Sequence, residues 1–254
     1  MQNHLRQLAV VVTVLFTLVV NGLANALPIN GQNTGQISDR FQVYFVPAGY
    51  VFAIWGVIYL GLIAFAVFQA LPTQRENPRL QATGWWIALG GLANGVWIFL
   101  WHFESFALTV VVVLVLLATL IVTYLRLGIG RTAVPAAETW AVRVPFSIYL
   151  GWITVATVAN VTSLLDDLNW DGFEIAPEIW MGLVLVAVVA IATMMAFTRR
   201  DVAYALVILW ALAGVAVKHA AVPAVAIPTW VAFGLVALTL ASAFLVRRRA
   251  LAAV

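Results

Sequence analysis

Long apolar runs separated by short polar stretches dominate this chain, and each run reads as a helix long enough to cross a bilayer. The runs are residues 5–27, 50–71, 82–103, 106–125, 144–165, 178–197, 202–222 and 229–246. Most reach the ~20 residues that span a hydrocarbon core about 30 Å thick at 1.5 Å per residue. The predicted fold class is all-α, a polytopic membrane helical bundle with eight spans. The first five runs carry Asn, Gly, Pro and Trp at interior positions, whereas the last three are mostly Ala, Val, Leu and Ile. That change predicts a five-helix core over residues 1–165 and a three-helix extension over 166–254. No internal repeat is evident, which counts against an inverted-repeat transporter.

Cutting the chain this way sorts its charges. Arg6, Arg75, Arg79, Arg126, Arg131, Arg143, Arg199, Arg200, Arg247, Arg248 and Arg249 fall on one side of the membrane, and only Arg40 and Lys218 on the other. Short basic loops stay cytoplasmic, so both termini are predicted inside, in a bacterial cytoplasmic membrane. Seven of the ten acids (Asp39, Glu104, Asp166, Asp167, Asp171, Glu174 and Glu178) lie outside.

Composition narrows the function classes. The 254 residues are 64% hydrophobic and 9% charged, with a mean hydropathy of +1.03. The pI near 9.6 does not point to nucleic acid, because the arginines serve as topological anchors. There is no Cys, which removes disulfides, thiolate catalysis and Cys-ligated metals. No extramembrane stretch is long enough for a separate catalytic or sensory domain, so the function lies in the bilayer or at its faces. Arg6, the apolar stretch 8–20 and Ala24-Asn25-Ala26 also fit a cleavable signal peptide. Cleavage would leave seven spans with the same charge sorting.

The loop 28–48 is rich in Asn, Gly and Gln, then turns aromatic. Phe41, Tyr44, Phe45, Pro47 and Tyr50 form either a lid over the bundle mouth or an interfacial aromatic belt. The acidic loop 166–177 reads as a solvated face, since calcium would need a defined oxygen cage that this spacing does not supply.

Polar residues inside spans are costly and are functional candidates by default. Counted from the external helix ends, Trp55, Trp97 and Asn160 lie roughly 8–9 Å deep, and Tyr59, Asn94 and Thr157 roughly 12–14 Å. The pairs Trp55/Tyr59, Asn94/Trp97 and Thr157/Asn160 are spaced i, i+3 or i, i+4, so each pair shares a helix face. Three helices therefore present aromatic and hydrogen-bonding groups at matching depths. A flat apolar ligand needs such walls and a few orienting polar groups. The alternative is helix–helix glue, in which the amides and hydroxyls bond across spans.

At these residues the sequence resembles the TspO/translocator-protein family of tryptophan-rich membrane proteins. The segment Pro47-Ala48-Gly49-Tyr50-Val51-Phe52-Ala53-Ile54-Trp55-Gly56-Val57-Ile58-Tyr59 is similar to the family's opening of the second helix, with one residue fewer between Phe and Trp. Asn94-Gly95-Val96-Trp97 is similar to its third-helix N-x-x-W. Pro145, then Trp152 and Ala156-Thr157-Val158-x-Asn160, resemble its fifth helix. The resemblance spans about residues 5–165.

It implies a pocket beneath the first loop that takes porphyrins and related tetrapyrroles, lined by Trp55, Tyr59, Asn94, Trp97 and Trp152. Tyr149 competes with Trp152 for the aromatic position, because the fifth-helix motif sits three residues late relative to Pro145. Thr157 and Asn160 complete the implied ligand-binding set. The implied function is a sensor, carrier or regulator that needs no cofactor but binds a porphyrin, haem or chlorophyll-type precursor. Its implied partners are the lipid bilayer, the planar ligand, and a homodimer or larger pigment-bearing complex. An accessory subunit of such a complex and a weak porphyrin-degrading enzyme are the alternatives. No buried acid–base pair or activated nucleophile supports the enzyme. The departures are Ala48 in place of a second Pro, and Val161 and Leu165 where the family's sterol motif has Tyr and Arg, which counts against sterol.

Three further expectations follow. Lys218 snorkels to the external interface rather than carrying a retinal. His102 is an interfacial histidine or an axial haem ligand. Trp85, Trp86, Trp140, Trp170, Trp180 and Trp230 lie near span ends and read as belt residues.

Overall fold

The structure, a computed structural model, describes residues 2–27 and 29–252, with side chains described through residue 245. All regular structure among these residues is helical. The long helices are α1 (Gln2–Ala26), α3 (Ile54–Ala70), α4 (Pro78–His102), α5 (Phe106–Arg126), α7 (Val144–Asp167), α8 (Pro177–Arg199), α9 (Val202–Lys218) and α10 (Pro223–Ala252). Two short helices, α2 (Thr34–Ser38) and α6 (Ala136–Glu138), lie in the connections. Seven helices have the length and composition to cross a membrane, and α9, with 17 residues, is shorter. At 1.5 Å per residue α9 is about 26 Å long, the lower bound for a span. The predicted runs match these helices to within a few residues, the largest differences being the earlier start and later end of α10. Arg247, Arg248 and Arg249, used in the charge sorting, lie outside the residues whose side chains are described.

The chain folds into two units. One comprises Met1–Gln42 and Ile54–Asn169, the other Val43–Ala53 and Trp170–Val254. The division by contacts falls after residue 169, and residues 43–53 group with the second unit.

In the first unit the helices form a closed ring in which α1 packs on α3, α3 on α7, α7 on α5, α5 on α4 and α4 on α1. Small residues allow these approaches, as helix contacts in lipid require. A side chain at Gly91 would meet the Thr13 backbone at 3.1 Å, and one at Gly61 would meet Pro145 at 2.9 Å. At one end of the ring, Arg6 donates to the Arg75 carbonyl at 3.0 Å and Arg126 to the Ala82 carbonyl at 2.8 Å. Arg79 grips the buried Glu138 with two bonds of 2.5 and 2.7 Å, and Arg143 reaches the Leu127 carbonyl and Thr132. Arg6, Arg75, Arg79, Arg126 and Arg143 thus gather at one end. Arg40 and Glu104 pair at the other, 3.1 Å apart. A π-helical turn over Thr139–Arg143, followed by Pro145, starts α7.

In the second unit α8, α9 and α10 pack on one another, and the 3₁₀ turn Gly49–Ala53 lies on α9. Gly214 makes that seat, since a Cβ there would fall 2.2 Å from Val51. The Gly214 carbonyl accepts from the Ala48 amide at 3.2 Å, and Trp210 donates to the Val51 carbonyl at 3.0 Å.

Candidate functional site

The ring interior holds a connected layer of amides, hydroxyls and aromatic rings. Asn21 on α1 donates to the Asn94 carbonyl oxygen on α4 at 2.7 Å, and Asn94 donates to the Tyr149 hydroxyl on α7 at 2.8 Å. Nearby, the Trp97 indole donates to Asn160 at 3.2 Å, and Asn160 donates to Thr109 on α5 at 3.0 Å. From α3, Trp55 stacks nearly parallel on Tyr59 with centroids 5.6 Å apart. It also meets the edges of Tyr149 and Trp152, both at 6.2 Å. Every helix of the ring contributes. Asn21, Asn94, Tyr149, Trp152 and Asn160 are buried, while Trp55, Tyr59 and Trp97 are partly so.

Seven of the eight predicted residues thus fall into two adjoining clusters. Trp55, Tyr59, Asn94, Tyr149 and Trp152 form one, Trp97 and Asn160 the other. Tyr149 and Trp152 do not compete, because one helical turn apart they both face Trp55. Thr157 is buried beside them, but its hydroxyl donates to the Ile153 carbonyl of its own helix at 2.7 Å. Sequence reasoning missed Asn21 and Thr109. Asn21 lies five residues from the end of α1, about 7.5 Å deep, so the depth count used for the other helices places it at the same level. Thr109 gives no such signal, because Thr is common in apolar helices.

The outer end of the ring is covered by a segment upstream of the predicted lid. An Asn33–Gln36 capping box starts α2, as the N-x-x-Q spacing allows. Fully buried Ile37 packs with Trp101 and Phe106, and Phe41 meets Trp101 at 5.9 Å and Phe106 at 5.0 Å. Trp101 stacks on Trp97 at 5.2 Å and donates to the Thr34 carbonyl at 3.2 Å. The predicted lid 41–50 is therefore divided. Phe41 caps the ring, whereas Tyr44, Pro47 and Tyr50 make their contacts in the second unit. There Tyr44 donates to Glu178 at 2.9 Å and meets His219 at 5.3 Å, and Tyr50 meets Trp210 at 5.4 Å. Pro47 faces Gly214, and Phe45 is buried. The Glu178 carboxylate raises the Tyr44 phenol above its ordinary pKa.

His102 ends α4 but does not face outward. It is fully buried, its Nδ1 lies 2.8 Å from the Ile98 carbonyl, and Asn30 donates to its backbone carbonyl at 2.9 Å. Among the described residues no three His, Asp or Glu side chains converge as a metal site would require. Trp86 also departs from expectation. Rather than serving only as a belt residue, it lines a cavity of about 20 Å³ on the arginine-rich side of the Asn94 layer, with Thr17, Gly90, Gly91, Thr123 and Tyr149 among its neighbours. That volume holds about one water, far below the ~300 Å³ or more of a drug-sized pocket.

The sequence model of the TSPO-like protein family matches residues 7–242. The chain belongs to the TSPO-like family. The matched stretch runs through the three C-terminal helices, beyond the 5–165 core in which the motifs lie. With seven apolar helices of spanning length, this TSPO-like chain is an integral, multi-pass membrane protein in contact with lipid. Exposed Leu60, Val67, Val111, Val186 and Leu238 supply part of that apolar surface. Neither the curated proteins nor the solved structures compared with the chain give a match.

Proposed function

We propose that the five-helix ring binds a planar lipophile of the tetrapyrrole class, a porphyrin, haem or chlorophyll-type precursor, and acts as a sensor, carrier or regulator rather than a catalyst. The observation that carries this reading is the convergence of Trp55, Tyr59, Tyr149 and Trp152 on one level with the Asn21 and Asn94 amides. Flat aromatic walls give a planar ring its stacking area, and each offset or edge contact adds about 0.5–1.5 kcal/mol beyond burial. The amides orient it. In the closed arrangement these polar groups satisfy one another, so a ligand exchanges its own heteroatoms for the Asn94–Tyr149 bond. Membership of the TSPO-like family supports the same class.

The second reading is an accessory subunit of a larger pigment-bearing complex, or a homodimer scaffold, in a bacterial cytoplasmic membrane. It is favoured by Asn94 being bonded on both sides within a packed interior, as helix glue would be. Titrating the purified chain with a porphyrin panel and following Trp fluorescence separates the two. Saturable quenching by one or more porphyrins supports the binder. No quenching, with stoichiometric membrane partners on purification, supports the subunit.

A further inference from the structure

The cavity beneath the Asn94 layer has features that a packing defect would lack. Residues of all five ring helices line it, among them Gly90 and Gly91 of α4, where a Cβ would meet Thr119 and Thr13. Thr123 lines it from α5 with 1% exposure, and its hydroxyl has no protein partner among the described residues. A buried unpaired hydroxyl is unfavourable and points to a partner that the protein does not itself supply. The floor is Trp86, held by the Arg126 guanidinium 5.4 Å above its ring. The roof is Tyr149, which lines the cavity and also meets Trp55 at 6.2 Å while accepting from Asn94. One side chain therefore separates the cavity from the aromatic cluster.

We propose that this cavity is the inner arm of the ligand chamber. Tyr149 is its partition, and Thr123 is the hydroxyl that takes a hydrogen-bonding oxygen at the edge of the ligand. This rests on the tetrapyrrole reading above. Breaking the Asn94–Tyr149 bond lets the Tyr149 ring turn aside and joins this space to the Trp55 and Trp152 walls. A volume of about one water then becomes the deep end of a longer slot ending on Trp86. A porphyrin edge carrying a carboxyl or carbonyl oxygen fits that end, since Thr123 can donate to it.

The absence of Cys in the chain makes a direct test available. Thr123→Cys introduces a single thiol, whose labelling by N-ethylmaleimide requires ionisation and access. In the full-length protein this site should label slowly. Adding Tyr149→Phe, which keeps the ring but removes the hydroxyl bonded to Asn94, should speed labelling tenfold or more. Ser163→Cys, buried near the other end of α7, serves as a control and should label at one rate in both backgrounds. Saturating protoporphyrin IX should slow labelling of Thr123→Cys in the Tyr149→Phe background at least tenfold. No acceleration by Tyr149→Phe, or equal acceleration at Ser163→Cys, overturns the partition. Porphyrin quenching of Trp fluorescence without protection of the thiol overturns the inner arm alone. If porphyrin does not bind at all, the functional reading fails, and the partition is still decided by the labelling rates without ligand.

Discussion

Asn94 on α4 donates to the Tyr149 hydroxyl on α7 at 2.8 Å while accepting from Asn21 on α1 at 2.7 Å. One amide thereby ties three helices across the middle of the ring. In lipid, where apolar burial does not distinguish helix contacts from lipid contacts, such bonds help set which helices meet.

Replacing Asn94 by Leu removes both bonds and leaves Asn21 and Tyr149 to find other partners. The expected cost is about 1–3 kcal/mol for the unsatisfied groups. The coupling to Tyr149→Phe in a double-mutant cycle should be smaller, about 0.6 kcal/mol and at most ~1.7, as for bonds between helices in membranes. Unfolding titrations of the four proteins in mixed micelles measure both. Zero coupling would mean that the two side chains do not act through this bond.

The cover over the ring rests on Ile37 and Phe41. Truncating a fully buried Ile to Ala costs about 2–5 kcal/mol, which here falls on a short segment rather than a whole helix. Ile37→Ala and Phe41→Ala should each speed tryptic cleavage after Arg40, and Tyr50→Ala, in the second unit, should not. Saturating porphyrin should slow the cut in the unmodified protein. Equal rates with and without ligand would make the segment a passive connection.

Acid should loosen the same end. Arg40, then Gln32, hold the Glu104 carboxyl below its ordinary pKa of 4.5. A carboxylate whose folded pKa is depressed contributes stability above its unfolded pKa and loses it as pH falls through the folded value. Amide hydrogen exchange in the 34–41 segment, corrected for its intrinsic pH dependence, should therefore lose protection as pH drops below 4.5, and Glu104→Gln should flatten that loss. The pair is exposed, so the effect is modest and screened by salt.

Reporter fusions test the orientation. Fusions after Leu125 and after Val254 should report cytoplasmic, and fusions within 166–177 external. The count of eight spans turns on α9, so a fusion at Arg200 should report inside and one at Ala221 outside. If both report the same side, α9 does not cross the membrane, and the arginine sorting of the last three helices changes with it.

Helix positions were legible because apolar runs of bilayer length have few alternative uses. Seven of the eight predicted site residues also cluster, because depth from a helix end and a shared face together locate a side chain in three dimensions. The pairing of Tyr149 and Trp152 on Trp55 was not legible, since motif alignment treats one aromatic position as one residue. The fate of residues 43–53 was less so. Their aromatic spacing is equally suited to either unit, and the choice is made by Gly214, a small residue whose role appears only when Val51 fills the space above it. The inward faces of Trp86 and His102 were not legible for a common reason. Closeness to a helix end says nothing of which face a residue occupies.

If the two adjoining clusters form one ligand site with Trp55 and Trp97 both as walls, the affinity of a porphyrin for single variants tests it most directly. Trp55→Ala and Trp97→Ala should each weaken protoporphyrin IX binding about tenfold or more, a loss of ~1.4 kcal/mol or greater. Trp180→Ala and Trp230→Ala, in the second unit, should bind nearly as the unmodified protein does. Four variants that bind alike, or losses confined to Trp180→Ala and Trp230→Ala, would contradict the account.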